Sequence, residues 1–202
     1  ARTTEDCAAT LRAIAGSDRK DPYCSDRPVP DYLKFLDGDI RGMRIGIVTE
    51  ITDSDLVDPE VKRSILTAAG VLQNLGAHVE HVSVPLSRND YAYTIQYGLT
   101  PEFTSHYFEW VKTRLDEFDY DNQVRLLAGV VTPAQLYYKA QKLRSLLRTQ
   151  LFEALERFDV LISPANTAPA QKIEQPTMPG SKREWLTHLS TPGFCTVAYA
   201  LA

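Results

Sequence analysis

The sequence has no long hydrophobic run and no surplus of basic residues. No stretch of its 202 residues reaches the roughly 18 consecutive apolar residues that suggest a membrane-spanning helix. Twenty-two Lys and Arg stand against 26 Asp and Glu, which gives a net charge of −4. Such a surface has no general attraction to phosphate backbones. We therefore expect neither a membrane nor a nucleic acid as a direct partner.

Cysteine is scarce, and its three positions do not form a recognisable pair. Cys7 falls on a helix face, Cys24 in a polar loop and Cys195 in an apolar run, with no Cys-x-x-Cys spacing. An odd, scattered set of this kind is typical of free thiols in a reducing compartment. We therefore predict a cytoplasmic protein without a secretory leader.

Histidine is also scarce, with four in the chain, and none of the four belongs to a complete metal motif. His78 and His81 are three residues apart on a predicted strand, so they point to opposite faces. Glu102 and His106 have the spacing of half a helical metal motif without its second histidine. We expect surface histidines, a Glu102–His106 hydrogen bond on one helix face, no metal and no cofactor.

The composition is that of an ordinary globular protein, with 44% hydrophobic and 24% charged residues. A short apolar run from Met43 to Val48 predicts a buried strand. Asp58 then has the position of a helix N-cap, Pro59 that of the first helical residue, and Gly76 that of the helix end. A second strand at 79–84 would complete a βαβ unit, in which the strands are parallel.

A second helix followed by a strand comes later in the chain. Thr132 as the cap and Pro133 as the first residue predict a long helix that runs to Phe158, followed by a strand at 160–163. The basic residues of this helix are predicted to form a solvated face: Lys139, Lys142, Arg144 and Arg148. Together these patterns predict the α/β class, with a mixed, mainly parallel sheet flanked by helices.

Both ends of the chain carry apolar residues without an obvious partner. Thr3 and Asp6 predict the start of a helix whose apolar face includes Leu11 and Ile14. In the final segment "STPGFCTVAYALA", an almost wholly apolar run follows Thr191 and Pro192 and ends without a cap, charge or breaker. We expect apolar surface to be exposed at both ends, and residues 1–202 to be a portion of one domain that is truncated on either side.

Several segments, in this order, resemble the amidase signature family in the part that follows its catalytic core. They are "ARTTEDCA", "GDIRGMRIGIVTE", "DPEVKRSILTAAGVLQNLGAHVEHVSVP", "RLLAG" with "TPAQLYYKAQKLRSLL", and "FDVLISPANTAPA" before "STPGF". The resemblance implies amide hydrolysis or transfer by a nucleophilic Ser, a second Ser on a cis peptide, and a Lys. The family's Gly-Ser-rich stretch carries both serines upstream of the "ARTTED" position. No Gly-Gly-Ser-Ser-Gly-Gly occurs in residues 1–202, so we assign no catalytic residue and expect this chain alone to be inactive.

The resemblance also points to candidate substrate-binding elements. Arg125 lies where the A subunits of tRNA-dependent amidotransferases, one branch of the family, carry an Arg that resembles a carboxylate clamp; the alternative is a surface arginine. The "SPANTAPA" loop follows a strand and is expected to edge the cleft. His188 and Ser190 are close together in sequence but lack an orienting acid, and we do not interpret them as a catalytic pair.

These features leave the function open between three hypotheses. The family implies a small-molecule amide substrate and a homodimer of the intact protein as one expected assembly. Within the family, the helix "TPAQLYYKAQKLRSLL" departs from the Gly-Tyr-Tyr-rich version expected of the amidotransferase branch, which favours a general amidase. A noncatalytic α/β binding domain is the alternative from a different class.

Overall fold

The computed structural model describes residues 1–21, 24–36, 38–170 and 195–201. The chain divides into two compact units, Ala1–Ile40 and Arg41–Ala202.

The first unit begins with helix α1, Thr4–Ile14. Thr3 is its N-cap, because the Thr3 hydroxyl accepts a hydrogen bond from the backbone N–H of Asp6 at 3.1 Å. This contact satisfies one of the free N–H groups at the start of a helix. The predicted cap is therefore confirmed.

Helix α1 has a packing partner within its own unit. A turn of 3₁₀ helix, Tyr32–Phe35, packs against it, and Arg12 donates to Asp31 at 2.9 Å. The expectation of an unpartnered first helix is wrong, because its partner is supplied by a segment about 20 residues further along the chain. Leu11 and Ile14 nevertheless remain 45% and 77% exposed, so the expected exposure of apolar surface on this helix is confirmed.

The second unit alternates strands and helices. Its described strands are β1 (Arg44–Val48), β2 (His78–Val82) and β3 (Val160–Ile162). Its described α-helices are α2 (Thr49–Thr52), α3 (Pro59–Asn74), α4 (Asn89–Gly98), α5 (Thr100–Thr113), α6 (Tyr120–Val131), α7 (Ala134–Arg157) and α8 (Val197–Leu201).

The three strands form one parallel sheet in the order β2-β1-β3. Val48 of β1 lies opposite Val82 of β2, and Ile45 lies opposite Val160 of β3. The central strand also needs a small residue, because a Cβ atom on Gly46 would lie 2.8 Å from Val82 Cγ1. The prediction of a mixed, mainly parallel sheet is confirmed in its class, and the three described strands are all parallel.

Helix α3 begins and ends where the sequence indicates. The Asp58 carboxylate accepts from the backbone N–H of Glu60 at 2.7 Å, and Pro59 is the first helical residue. Gly76 follows the helix with a φ of +95°, a conformation that favours glycine. Ala69 is the buried residue of this helix, which leaves much of its apolar face uncovered by the described residues.

The predicted start of the long helix is wrong by one position. Helix α7 begins at Ala134, with Pro133 as its N-cap residue. Thr132 does not cap it, because its hydroxyl donates backwards to the carbonyl of Ala128 at 2.7 Å. Thr132 therefore ends α6, a helix that lies directly before α7 in the chain.

The core joins the sheet to helices α4, α7 and α8. Its most enclosed side chains are Val48, Ile51, Val84, Ile95 and Leu147, each 0% exposed. Helix α8 packs on α4 and α7 and buries most of its length. The expectation that the final apolar run lies open to water is therefore wrong for residues 197–201; residues 190–194 lie outside the described part of the chain.

Candidate functional site

Helices α4 to α8 surround a cavity of about 520 Å³. Aromatic side chains form part of its wall: Tyr93, Tyr97 and Phe103. Its charged lining residues are Glu102, Arg125 and Arg144. We call it the Arg125 cavity. A concave site with an apolar body and a few polar groups is the usual form of a small-molecule site.

Arg125 is presented to the cavity by helix α6. The next residue, Leu126, is 0% exposed, and its carbonyl accepts from the Thr104 hydroxyl of α5 at 3.0 Å. These contacts fix the helix that carries Arg125. Within the described part of the chain, no acidic side chain forms an ion pair with Arg125. Its guanidinium is therefore available to an anionic ligand.

Arg144 of α7 lines the same cavity and corrects one prediction. Its Nε–H donates to the carbonyl of Leu201 at 2.7 Å, and its side chain is half-buried. Arg144 is therefore not part of a solvated basic face, although Lys139, Lys142 and Arg148 are exposed as predicted. The contact to α8 spans 57 residues of sequence, so helical periodicity alone could not reveal it.

Glu102 lies at the start of α5 and is held by α7. Its Oε1 accepts from the Tyr137 hydroxyl at 3.0 Å and from Gln141 Nε2 at 2.7 Å. The predicted Glu102–His106 hydrogen bond is not formed, because the partners come from α7 rather than from the same helix. Tyr137, Gln141 and Arg144 follow an i, i+4, i+7 spacing, which puts them on one helix face. That spacing is the sequence signal that could have found this group.

The charges of the Arg125 cavity favour an anion. Two guanidiniums and one carboxylate leave a net charge of +1 among its charged lining residues. An Arg side chain can hold a carboxylate through two parallel N–H···O bonds. The cavity is therefore suited to a small molecule that carries a carboxylate.

Residues 1–200 match the protein family described as Amidase. The chain belongs to the amidase signature family. Among its curated relatives is the A subunit of the glutamyl-tRNA(Gln) amidotransferase from Roseiflexus sp. (strain RS-1), which is 34% identical over 198 residues. The match covers 86% of this chain and 40% of that relative. The corresponding protein of Geobacillus kaustophilus is also 34% identical, over 87% of this chain and 41% of its own length.

Solved amidase structures have the same fold. One is an inhibitor-bound structure of a vestigial protein complex that reveals the evolutionary origins of an s-triazine catabolic enzyme. It aligns with a TM-score of 0.74 at 25% identity, over 87% of this chain and 37% of that chain. A bacterial aryl acylamidase of the amidase signature family aligns with a TM-score of 0.71 at 22% identity, over 83% and 36%. The chain thus spans about 40% of the length of the relatives it matches.

The loop expected to edge an amidase cleft lies at the carboxyl end of β3, but it does not line the Arg125 cavity. Its backbone is engaged elsewhere: the carbonyl of Thr167 accepts from Asp58 at 2.7 Å, and that of Ala165 accepts from Cys195 at 3.1 Å. The Tyr199 hydroxyl donates to Ser163 at 3.0 Å, and burial raises the pKa of Tyr199. His188 and Ser190, which were not interpreted as a catalytic pair, lie outside the described residues.

The described residues contain no group of three or more His, Cys, Asp or Glu side chains that could hold a metal ion. His78 and His81 are exposed on strand β2, which confirms their predicted surface position. The three cysteines are free thiols. Among the helices that are described, none is long and apolar enough to cross a membrane.

Proposed function

We propose that this chain supplies the C-terminal, substrate-binding portion of a single amidase domain that hydrolyses small carboxylic amides. The observation that carries the proposal is the Arg125 cavity in a chain of the amidase signature family. A hydrolase of amides needs a pocket that orients the substrate beside a nucleophile, and this cavity has both apolar and charged walls.

Arg125 is proposed as the carboxylate clamp of this pocket. Arg125 lines the cavity and has no acidic partner among the residues described. A bidentate contact to a carboxylate fixes both the position and the orientation of a small substrate. Arg144 lies in the same cavity and adds a second positive charge, which strengthens the attraction for an anion.

The reaction is proposed to follow the Ser-cisSer-Lys mechanism, with catalytic residues outside residues 1–202. In that mechanism a neutral lysine accepts a proton through the bridging serine while the nucleophilic serine attacks the amide carbonyl. Backbone N–H groups stabilise the oxyanion, and water then hydrolyses the acyl-enzyme. The contribution of this chain is to hold the substrate in place.

The second candidate function is that of the A subunit in a tRNA-dependent amidotransferase. The observation in its favour is the 34% identity to the A subunits of glutamyl-tRNA(Gln) amidotransferases. Against it stands the helix around Tyr137 and Tyr138, which lacks the Gly-Tyr-Tyr-rich sequence expected of that branch. We therefore favour a general amidase. A cytoplasmic location and a homodimer of the intact protein complete the proposal.

The test is ammonia release by the full-length protein from two amides of matched size. Succinamate carries a carboxylate where butanamide carries a methyl group. We expect both to be hydrolysed, and succinamate to have the higher kcat/KM. No ammonia from either amide would refute the amidase proposal, whereas a preference for butanamide would refute only the carboxylate clamp. Hydrolysis that requires a charged tRNA would favour the amidotransferase.

A further inference from the structure

We propose that Thr104 is a positioning residue, which fixes the place of Arg125 although it does not itself line the Arg125 cavity. Its buried hydroxyl holds helix α6 in one rotation about the helix axis, and that rotation decides where the Arg125 guanidinium lies. The role rests on the proposed function, because Thr104 acts through the carboxylate clamp. A residue outside the cavity thereby helps to decide how tightly a carboxylate is bound.

Thr104 joins α5 to α6 by a hydrogen bond between the two helices. Its side chain is 3% exposed, and its hydroxyl donates to the carbonyl of Leu126, 22 residues further along the chain, at 3.0 Å. A carbonyl oxygen has two lone pairs, so the Leu126 carbonyl can accept this bond and still accept from its own helix. Leu126 is the residue next to Arg125. The bond is therefore made at the turn of α6 that carries the guanidinium.

Gly129 gives Thr104 the space for this hydrogen bond and restricts it to one position. Leu126 and Gly129 have an i, i+3 spacing, which puts them on the same face of α6. A Cβ atom on Gly129 would overlap the Thr104 hydroxyl and lie 2.8 Å from Thr104 Cβ. Thr104 therefore occupies a space that exists because residue 129 has no side chain. The bond to Leu126 and the close approach at Gly129 together leave α6 little freedom to rotate or slide against α5.

Helix α6 owes its position mainly to α5. The main buried cluster draws its members from the sheet, from α2, α4, α7 and α8 and from the segments beside them. Among the described residues, none of its members belongs to α5 or α6. Helix α6 packs mainly on α5 instead. The position of Arg125 is therefore set at the contact between these two helices.

Helix α5 is itself tied to α7, the helix that carries Arg144. The Glu102 carboxylate accepts from Tyr137 at 3.0 Å and from Gln141 at 2.7 Å, and both donors belong to α7. Thr104 follows two residues later on α5. One series of contacts thus connects the two guanidiniums, from α7 through α5 to α6. Because a carboxylate needs its N–H donors at fixed positions, a shift of α6 weakens the contact even when every cavity residue is unchanged.

The alternative is that Thr104 only fills space between the helices, and two substitutions separate the roles. Thr104→Val keeps the branched shape but cannot donate, whereas Thr104→Ser keeps the hydroxyl and loses a methyl group. A packing role predicts that serine is the worse replacement, since it leaves a gap. A positioning role predicts the opposite, because serine can still donate to the carbonyl of Leu126.

The experiment is calorimetric titration of the full-length protein with butanoate, which carries a carboxylate on a short aliphatic chain. We expect Thr104→Val to weaken butanoate binding about tenfold, because an error of about 1 Å disturbs a contact of two parallel hydrogen bonds. Thr104→Ser should bind butanoate within about twofold of the wild type, since the hydroxyl donor is kept. In the Arg125→Ala protein, Thr104→Val should cause no further loss, because a residue that acts through Arg125 then has nothing left to position.

Thr113→Val is the matched control, because Thr113 also lies on α5 and its hydroxyl donates to the carbonyl of Glu109 within the same helix at 2.8 Å. It should bind butanoate as the wild type does. Normal binding by Thr104→Val would overturn the positioning role and leave the clamp standing. So would weaker binding by Thr104→Ser than by Thr104→Val, or an equal loss from Thr104→Val with and without Arg125. A wild-type protein that does not bind butanoate would overturn the clamp and the positioning role together.

Discussion

The residue with the most direct consequence for substrate binding is Arg125. It lines the cavity without an acidic partner among the described residues, so its main contact is expected to be the substrate carboxylate. Arg125→Ala in the full-length protein should raise KM for succinamate more than it lowers kcat, because a clamp binds ground and transition states alike. Loss of a charged hydrogen bond of about 1.5–3 kcal/mol corresponds to roughly a ten- to hundredfold rise in KM.

Two comparisons make the Arg125 prediction specific. Butanamide has no carboxylate, so its kinetic constants should be unchanged by Arg125→Ala. Arg148→Ala is the control variant, because Arg148 is exposed on α7 and stacks over Phe152 outside the cavity. Steady-state kinetics with both amides provide the measurement. If kcat and KM for succinamate are unchanged in Arg125→Ala, Arg125 is a surface arginine and not a carboxylate clamp.

A second residue-scale feature is the ion pair between Asp159 and Arg44, which joins the starts of β3 and β1. Arg44 donates to Asp159 from its side chain at 2.7 Å and from its backbone N–H at 2.8 Å. The side-chain hydrogen bond is the main cause that lowers the pKa of Asp159 from 3.8 to about 2. The folded protein therefore favours the ionised carboxylate.

This pair should make stability depend on pH in the acidic range. Because the folded pKa is lowered, the contribution is complete above about pH 4 and is lost as the pH falls towards 2. Asp159→Asn should unfold at lower urea than the wild type at pH 7, by a small amount because the pair is solvent-exposed. The difference should shrink at pH 3. A difference that stays constant or grows in acid would contradict the lowered pKa of Asp159. Asp116→Asn is the control variant.

At the scale of elements, a close contact in the second unit joins α5 and α6. A Cβ atom on Gly129 would overlap the Thr104 side chain and lie 2.9 Å from the carbonyl of Thr100. Gly129→Ala should therefore separate the two helices and lower the free energy of unfolding by about 1–3 kcal/mol. Since α6 carries Arg125, the KM for succinamate should rise as well.

Gly70→Ala is a matched control for this change. Gly70 lies inside α3, and a Cβ atom there would meet nothing within 4 Å. The same substitution should stabilise the protein by up to about 1 kcal/mol, because alanine has the higher helix propensity. Urea unfolding of both variants measures the sign of each change in the free energy of unfolding. Equal effects would show that helix propensity, not the α5–α6 contact, decides the result.

At the scale of the whole molecule, the chain presents much apolar surface for its size. The exposed side chains of α3 include Leu66, Val71 and Leu75, and those of α7 include Leu143, Leu146, Phe152 and Leu155. In addition, the chain spans about 40% of the length of its curated relatives. Exposed apolar patches of this kind promote association.

We predict that residues 1–202 expressed alone hydrolyse no amide and self-associate or bind a hydrophobic dye. The reason for inactivity is the absence of the Gly-Gly-Ser-Ser-Gly-Gly sequence of the family from these residues. Ammonia release, gel filtration and dye fluorescence, each compared with the full-length protein, provide the measurements. Turnover by a monomeric, dye-negative chain would require a catalytic centre within these 202 residues.

The sequence by itself determined the features that depend on neighbouring residues. Thr3 and Asp58 cap their helices as predicted, and the apolar runs around Ile45 and Val79 are parallel strands. A cap is a contact over two or three residues, and the βαβ connection has one favoured geometry. These signals are therefore complete within short stretches of sequence. The start of α7 was misplaced by one residue because Thr132 lies between two helices. Its hydroxyl bonds to the end of α6 and does not cap α7.

Only the tertiary structure decided which side chains meet in the Arg125 cavity. Glu102 bonds to Tyr137 across 35 residues, and Arg144 to Leu201 across 57. It also decided that the last apolar residues are covered, since α8 packs on α4 and α7. Such contacts depend on how whole helices are placed, and helical periodicity indicates which face of a helix is apolar but not which helix will cover it.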